Sequence, residues 1–360
     1  MRSGLHAPLP LPRSTGRPRP ACRTARARGA PAGVRAHDEV GMLILAADIG
    51  GTRARLLLGE SRGDTWQPLR QQTLASQEHA DGLSLLRAFL RPGEQPQVAC
   101  LAVAGPVDGR QVRLTNLPWD LDADELAGQL ALRRIELVND LAAQAQGLPL
   151  LHDEQLYPLQ SGRPQPGGVR ALLAVGTGLG MALLAGTPAQ PLVLPSEGGH
   201  ADFAAQDEQQ LALLRHLLPR HGRVSLELLL SGAGLVRLFA FLAGRDEDAD
   251  DLPGPAQIGA AAAAGDARAT ATLELFARLL AGAAGNLALT GLARGGVYLG
   301  GGIAPKILPC LRLPAVREAF VARPPMRALL EGIPLQVVLD EQLGLRGAAQ
   351  IAARLALQAE

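Results

Sequence analysis

The chain has 360 residues, enough for two domains, and its 47% hydrophobic and 19% charged content excludes an intrinsically disordered polymer. No apolar stretch approaches the roughly 18–20 uncharged residues of a membrane span. The three cysteines, Cys22, Cys100 and Cys310, stand far apart, which excludes a cysteine metal motif or a disulfide framework and suits a reducing cytosol.

The net charge of +1 conceals an uneven distribution. Residues 1–41 hold eight arginines against Asp38 and Glu39, a local +6 that leaves −5 for the remainder. This leader is rich in Pro, Gly, Ala and Arg, lacks any apolar period and is expected to be disordered. It is a transit-like or nucleic-acid-binding arm, an inert extension or, the preferred reading, not part of the natural protein. Against the first stand its two serines, Ser3 and Ser14, and the lack of an amphipathic stretch. Met42 directly precedes the first core strand, where a start would be expected. Lys306 is the only lysine, which reads as a GC-rich genome rather than as function.

From residue 42 the pattern predicts a hairpin over 42–60, a strand over 66–75 and a helix over 81–90. A strand follows over 97–107, with Asp108-Gly109 as a two-residue turn into 112–115. Asp122, with Glu125 three residues on, begins a helix. Residues 134–138 form a short buried strand delivering Asn139-Asp140 to the start of a helix over 141–147. The Pro-, Gly- and Gln-rich stretch 148–168 marks a domain boundary. Beyond it come a second hairpin over 171–184, helices over 207–217 and 225–242, and an exposed acidic loop over 245–255. A helix over 267–289, a strand at 297–299, a strand at 335–339 and a helix over 344–357 complete the chain. The last helix is expected to pack back onto the first domain. Strands mixed with helices, twice over, predict two α/β lobes with a cleft between them. The domains are expected at 42–150, completed by 341–360, and at 151–340.

Each hairpin turns on glycine: Asp48-Ile49-Gly50-Gly51-Thr52 in the first, Gly176-Thr177-Gly178-Leu179-Gly180 in the second. Such tips bare successive backbone N–H groups and let a ligand approach the main chain, which suits phosphate. Neither carries the lysine of a Walker loop or opens straight into a helix. Asp140, at the C-terminal end of a strand, stands where α/β sheets place ligands and could take a proton from a hydroxyl; equally, it could cap the following helix. Glu197 and His200 flank Gly198-Gly199, which argues against a metal-binding helix and for a loop that hydrogen-bonds hydroxyls; taken singly, they read as a solvated glutamate and a core histidine. Glu227 could be a surface helix charge. Asn116 lies in Thr115-Asn116-Leu117-Pro118-Trp119, a polar pair after a strand or an Asx-type turn. Gly300-Gly301-Gly302 would let a flat ring approach the backbone, or form a tight turn.

In this order, DIGGTRARL, AVAGPV, LTNLPWDL, LVNDLAA, GTGLG, LPSEGGHADF, RVSLELLLSGAGL and YLGGGIAPK resemble the bacterial glucokinases of the hexokinase-like, actin-related ATPase superfamily, over roughly residues 42–355. The resemblance implies a two-lobed actin-like (ribonuclease H-like) α/β fold and ATP-dependent, Mg²⁺-assisted phosphorylation of glucose at its 6-hydroxyl, with Asp140 as the base. It implies that Asn116, Asn139, Asp140, Glu197, His200 and Glu227 bind the sugar. Ala47, Asp48, Ile49, Gly50, Gly51 and Thr52 and Gly176, Thr177 and Gly178 would line the nucleotide phosphates, with Gly300, Gly301 and Gly302 near the adenosine. No residue is assigned as a dedicated metal ligand, although Asp48 is the carboxylate best placed to hold the magnesium shell. A cytoplasmic homodimer without nucleic-acid or membrane partners is implied as well.

Two positions depart from the family pattern: Arg53 stands where asparagine is usual, and Ala233 replaces a common proline. The cysteine-rich zinc motif of the related ROK kinases and repressors is absent from the sequence between Cys100 and Cys310. A kinase for another hexose, a non-catalytic sugar sensor and a chaperone-like ATPase are the alternatives. The last would lack the set Glu197, His200 and Glu227. ATP is the default donor, with polyphosphate or ADP able to use similar turns.

Overall fold

The computed structural model describes residues 41–187 and 190–359, so the expectations for the leader fall outside the described residues up to position 40. In chain order the first part runs β1 (Met42–Ile49), β2 (Arg53–Arg62), β3 (Thr65–Ala75), α1 (Gly82–Phe89), β4 (Val98–Val103), β5 (Val107–Asp108), β6 (Gln111–Arg113), β7 (Asp120–Asp122), α2 (Ala123–Leu130), β8 (Arg134–Asn139) and α3 (Asp140–Gly147). The second part opens with β9 (Leu156–Gln160), β10 (Arg170–Val175), β11 (Leu179–Gly186) and β12 (Pro191–Ser196). Helices α4 (Glu208–His221), α5 (Leu226–Leu229), α6 (Gly232–Ala243), α7 (Pro255–Ala263) and α8 (Ala267–Thr290) follow. The chain closes with β13 (Gly296–Gly300), α9 (Leu308–Leu311), α10 (Pro314–Val321), α11 (Arg327–Glu331), β14 (Leu335–Val338) and α12 (Leu343–Leu357).

Two sheets repeat one plan. The first has the order β3-β2-β1-β4-β8; the second has β12-β11-β10-β13-β14, extended by β9 at its edge. In each, an antiparallel hairpin supplies the central strand, and parallel strands continue outward from it. The two glycine turns therefore occupy equivalent places, each joining the central strand to its antiparallel neighbour.

The central strands are buried on both faces, which explains their nearly unbroken apolar sequences. On one face of the first sheet, Leu45, Leu56 and Leu101 pack with Leu85, Leu86 and Phe89 of α1. On the other, Ile44, Ala46, Cys100 and Ala102 meet Ala348, Ala349, Ala352 and Ala353 of α12, as expected for the last helix. Leu141 and Ala145 of α3 pack with Leu172, Ala182 and Tyr298 of the second sheet and with Leu343 of α12. Ala143 of α3 packs with Ile44 and Ala102 of the first sheet, so this helix, which begins at Asp140, lies against both sheets. Helix α8 is long and apolar enough by length and composition to cross a membrane, but it is mostly buried, as the central helix over the second sheet's other face.

Several expected elements shift. The first sheet's fourth strand stops at Val103, and the small hairpin turns at Gly109-Arg110, because Asp108 pairs with Gln111. Strand β8 alternates exposed and buried residues in its first half instead of being buried throughout. Helix α4 runs on to His221. The helix expected over 225–242 is two helices, because Ser231 caps α6 by accepting the N–H of Gly234. Strands β9 and β12 were not expected. Both contain proline, and both are edges of the second sheet, where a missing ladder donor is tolerated.

Candidate active site

The first glycine turn is closed by the Gly50 N–H donating to the Arg53 carbonyl at 3.0 Å. Ser76, wholly buried, holds the turn from behind: its hydroxyl donates to the Gly50 carbonyl at 2.7 Å and its N–H to the Thr52 carbonyl at 3.1 Å. Among the described residues, the N–H groups of Gly51 and Thr52 have no acceptor. Asn116 lies beside this turn, since a methyl group on Gly51 would stand 2.6 Å from its Cβ.

The second turn is closed by the Gly176 N–H donating to the Gly178 carbonyl at 2.9 Å, while the Gly232 N–H donates to the Gly176 carbonyl at 2.9 Å. Its Thr177 and Gly178 N–H groups likewise have no acceptor among the described residues. The run Gly300-Gly301-Gly302 is packed against the same strand end. Gly300 pairs with Ala174, and Ile303 donates its N–H to the Val175 carbonyl at 3.1 Å. Gly301 has φ +82°, and a Cβ there would stand 2.3 Å from the Val175 oxygen, so only glycine fits. These two glycine segments form one wall. The sequence-predicted phosphate and adenosine positions of the second lobe are therefore contiguous.

Asp48 ends the buried run of β1. The hairpin register sets it opposite Arg55, whose Nη1 lies 3.7 Å from its Oδ2 and whose Nη2 lies 3.4 Å from Glu341 Oε2. Burial pushes the Asp48 carboxyl up to about 6; Arg55 opposes the rise, and the nearby Asp140 carboxylate adds to it. Gly344, in the first turn of α12, abuts this carboxylate.

Asp140 is the first residue of α3, and Asn139 is its cap. The Asn139 Oδ1 accepts the N–H groups of Leu141 (3.0 Å) and Ala142 (3.4 Å), while its Nδ2 donates to the Gly105 carbonyl at 3.2 Å. Asp140 Oδ1 also accepts the Leu141 N–H, at 2.8 Å. Burial raises its pKa against that hydrogen bond. The next residue reaches the second lobe: a methyl group on Gly180 would stand 3.0 Å from Leu141 Cδ2.

Glu197, His200 and Glu227 come together at the second turn. The segment 201–203 pairs with 224–226 through the Phe203 N–H on the Val224 carbonyl and the Leu226 N–H on the Ala201 carbonyl. His200 Nε2 lies 4.0 Å from Glu197 Oε2, and its Nδ1 lies 3.9 Å from Glu227 Oε1. Glu227 Oε2 accepts the Leu179 N–H at 2.9 Å. Glycine at 178 makes this possible, since a Cβ there would stand 2.5 Å from that oxygen. The Glu197 and His200 side chains are exposed and free to meet a ligand, and a single 3₁₀ turn over 198–200 replaces the expected loop. Arg53 is exposed beside the first turn, and its guanidinium has no partner among the described residues.

Sequence reasoning missed Ser76, Arg55, Glu341 and Gly344. Arg55 was legible from the hairpin alone, because a turn closed by residues 50 and 53 sets it opposite Asp48. The others lie too far away in sequence for any local signal.

This repeated sheet plan, with a glycine turn at the equivalent place in each sheet, is that of the two-lobed sugar kinases. A model of the glucokinase family matches residues 45–355. The glucokinase of Nostoc punctiforme is 39% identical over 340 residues, covering 87% of this chain and 99% of that protein. A crystal structure of glucokinase from an Antarctic psychrotroph superposes with a TM-score of 0.79 at 34% identity, covering 87% of this chain and 99% of that one. Glucokinase from Balamuthia mandrillaris in complex with glucose, 24% identical, shares the fold with a TM-score of 0.70 over 89% of this chain and 95% of that chain. The chain belongs to the glucokinase family.

Proposed function

We propose that the protein transfers the γ-phosphoryl group of ATP to the 6-hydroxyl of glucose, with Asp140 as general base. One observation carries the assignment of the base: Asn139 caps α3, so the Asp140 carboxylate keeps an oxygen for a substrate at the junction of the two lobes. A buried carboxylate with a raised pKa is a better proton acceptor than a solvated one.

In phosphoryl transfer the protein positions the acceptor and stabilises charge on the transferred group. As the sugar oxygen attacks phosphorus, its proton passes to Asp140 and the bond to the β-phosphate oxygen breaks, releasing ADP. Asn116, Glu197, His200 and Glu227 hold the remaining hydroxyls, and Asn139 keeps the base in place. A site built to hydrogen-bond hydroxyls is left with unpaired polar groups when one is missing, which discriminates by up to about 10⁴-fold. The backbone N–H groups at 51–52 and 177–178 receive the phosphates, and Gly300, Gly301 and Gly302 leave room for the adenosine. Mg²⁺ would neutralise phosphate charge; it would be held mainly by phosphate and water, and Asp48 would supply the protein carboxylate of its shell. Closure of lobes 42–150 with 341–360 and 151–340 would exclude water as competing acceptor. Family resemblance supports a cytoplasmic homodimer with no nucleic-acid or membrane partner.

The test is ATP-dependent phosphorylation of glucose, mannose, fructose, glucosamine and N-acetylglucosamine, with Asp140→Ala as control. Glucose is expected to be the preferred acceptor, and the variant to lose roughly 10²–10⁴-fold in kcat while glucose binding weakens moderately. A variant within tenfold of the wild type would refute Asp140 as the base. A wild type that binds glucose without phosphorylating it would favour another donor or a sensor.

A further inference from the structure

Glu227 sits on α5, a helix of only four residues, too short to sustain itself. Its N-terminus is fixed by the Ser225 hydroxyl, which accepts the Leu228 N–H at 3.2 Å. Its last carbonyls have no intrahelical donor. One of them, Leu228 C=O, accepts a hydrogen bond from Arg237 Nη1 of α6 at 3.1 Å.

Arg237 is itself held from the far side. Its Nε lies 2.7 Å from Glu247 Oε2, an ion pair whose N–H is not aligned for a hydrogen bond. Glu247 belongs to the acidic loop that the sequence predicts to be exposed, yet its side chain is only 6% exposed. Its other oxygen meets Arg220 Nε at 3.1 Å and His221 Nε2 at 2.7 Å, both at the end of α4. A buried carboxylate is costly unless it is paired. Here the pairing fixes the guanidinium that donates to the Leu228 carbonyl of α5.

We propose that Arg237, aligned by the buried Glu247, is a positioning residue that holds α5 and with it the Glu227 carboxylate at the sugar end of the site. The inference rests on the assignment of Glu227 to sugar binding. The chain of contacts runs from the acidic loop through Arg237 to Leu228, the residue next to Glu227. Releasing it frees the turn whose carboxylate must stay on the Leu179 N–H while presenting an oxygen towards His200.

The test is a double-mutant cycle in the full-length protein with Arg237→Met, Glu227→Gln and both together, read by KM for glucose, KM for ATP and calorimetric glucose affinity. Arg237→Met is expected to raise KM for glucose by about tenfold, the scale of one charge-assisted hydrogen bond, and to leave KM for ATP within about twofold. In the Glu227→Gln background its effect on glucose should vanish, because a residue acting through Glu227 has nothing left to position. A lower melting temperature with unchanged KM for glucose, or effects that simply multiply, would overturn the proposal. If Arg237→Met does not fold, Glu247→Gln, which keeps the volume, reads the same split. Calorimetry keeps the comparison valid if the wild type binds glucose without turning it over, so failure of the catalytic assignment is distinguishable. A wild type that binds no glucose overturns both.

Discussion

Asp48 is placed at a thermodynamic cost that can be measured. Its side chain is 19% exposed, and burial carries its carboxyl from an ordinary 3.8 to about 6. At about 1.4 kcal/mol per pH unit, the ionised form is disfavoured by about 3 kcal/mol in the folded protein. The sign follows from linkage. Between pH 3.8 and about 6 the folded state binds more protons at this site than the unfolded state, so the site's contribution to stability falls as pH rises through that window. Below pH 3.8 both states are neutral and nothing is lost.

Asp48→Asn should therefore stabilise the protein by about 3 kcal/mol at pH 7.5 and leave it unchanged near pH 3.5. Arg55 would not be stranded, because it keeps Glu341 as a partner at 3.4 Å. The assay is urea unfolding of both proteins across this pH range, without nucleotide or Mg²⁺, paired with turnover. Turnover should collapse in the same variant, since a neutral amide cannot anchor the metal–phosphate shell. A variant less stable than the wild type at pH 7.5, or a gap independent of pH, would refute the view of Asp48 as a charge buried at a cost for function.

Two further outcomes follow from the geometry. Glu197→Gln or His200→Ala should raise KM for glucose severalfold more than KM for ATP, because both side chains are exposed beside Glu227 rather than at the first turn; equal effects would argue against direct sugar contacts. Gly347→Ala sets two effects against each other. Helix propensity favours alanine by about 1 kcal/mol, but its Cβ would stand 1.7 Å from the Ala143 carbonyl where α12 crosses α3. A backbone oxygen cannot yield like a flexible side chain, so overpacking of about 3 kcal/mol should win, lowering the urea midpoint and, through displacement of Asp140, kcat. A more stable variant would show that the crossing can relax.

What the sequence made legible was local. The glycine turns, the hairpins around them and the strand delivering Asn139-Asp140 depend on neighbouring residues, and the hairpin registers follow from the tight turns that close them. Asn139-Asp140 was ambiguous for a physical reason: both residues are good helix caps. Only the three-dimensional contacts show that asparagine is the N-cap and that the aspartate spends one carboxylate oxygen on the Leu141 N–H and keeps the other. The segment over 225–242 reads as one helix because its apolar period continues across Ser231, whose capping hydroxyl is a single atom against a long periodic signal.

The parts that were not legible are those made by closure of the chain on itself. Glu341 is 286 residues from Arg55, and Ser76 reaches back 26 residues to hold the first turn. The first contact ties down Arg55, which opposes the burial-driven rise of the Asp48 pKa, and the second shapes the first turn, while the N–H groups that would receive phosphate belong to the backbone. Anion recognition built from backbone leaves a glycine signature that can be read without a fold, because glycine is required where the chain turns sharply or a ligand comes close. Recognition built from side chains on different elements leaves none. That is why Glu197, His200 and Glu227, taken one at a time, read as ordinary surface or core residues. They form a constellation only where 201–203 pairs with 224–226 beside the second turn.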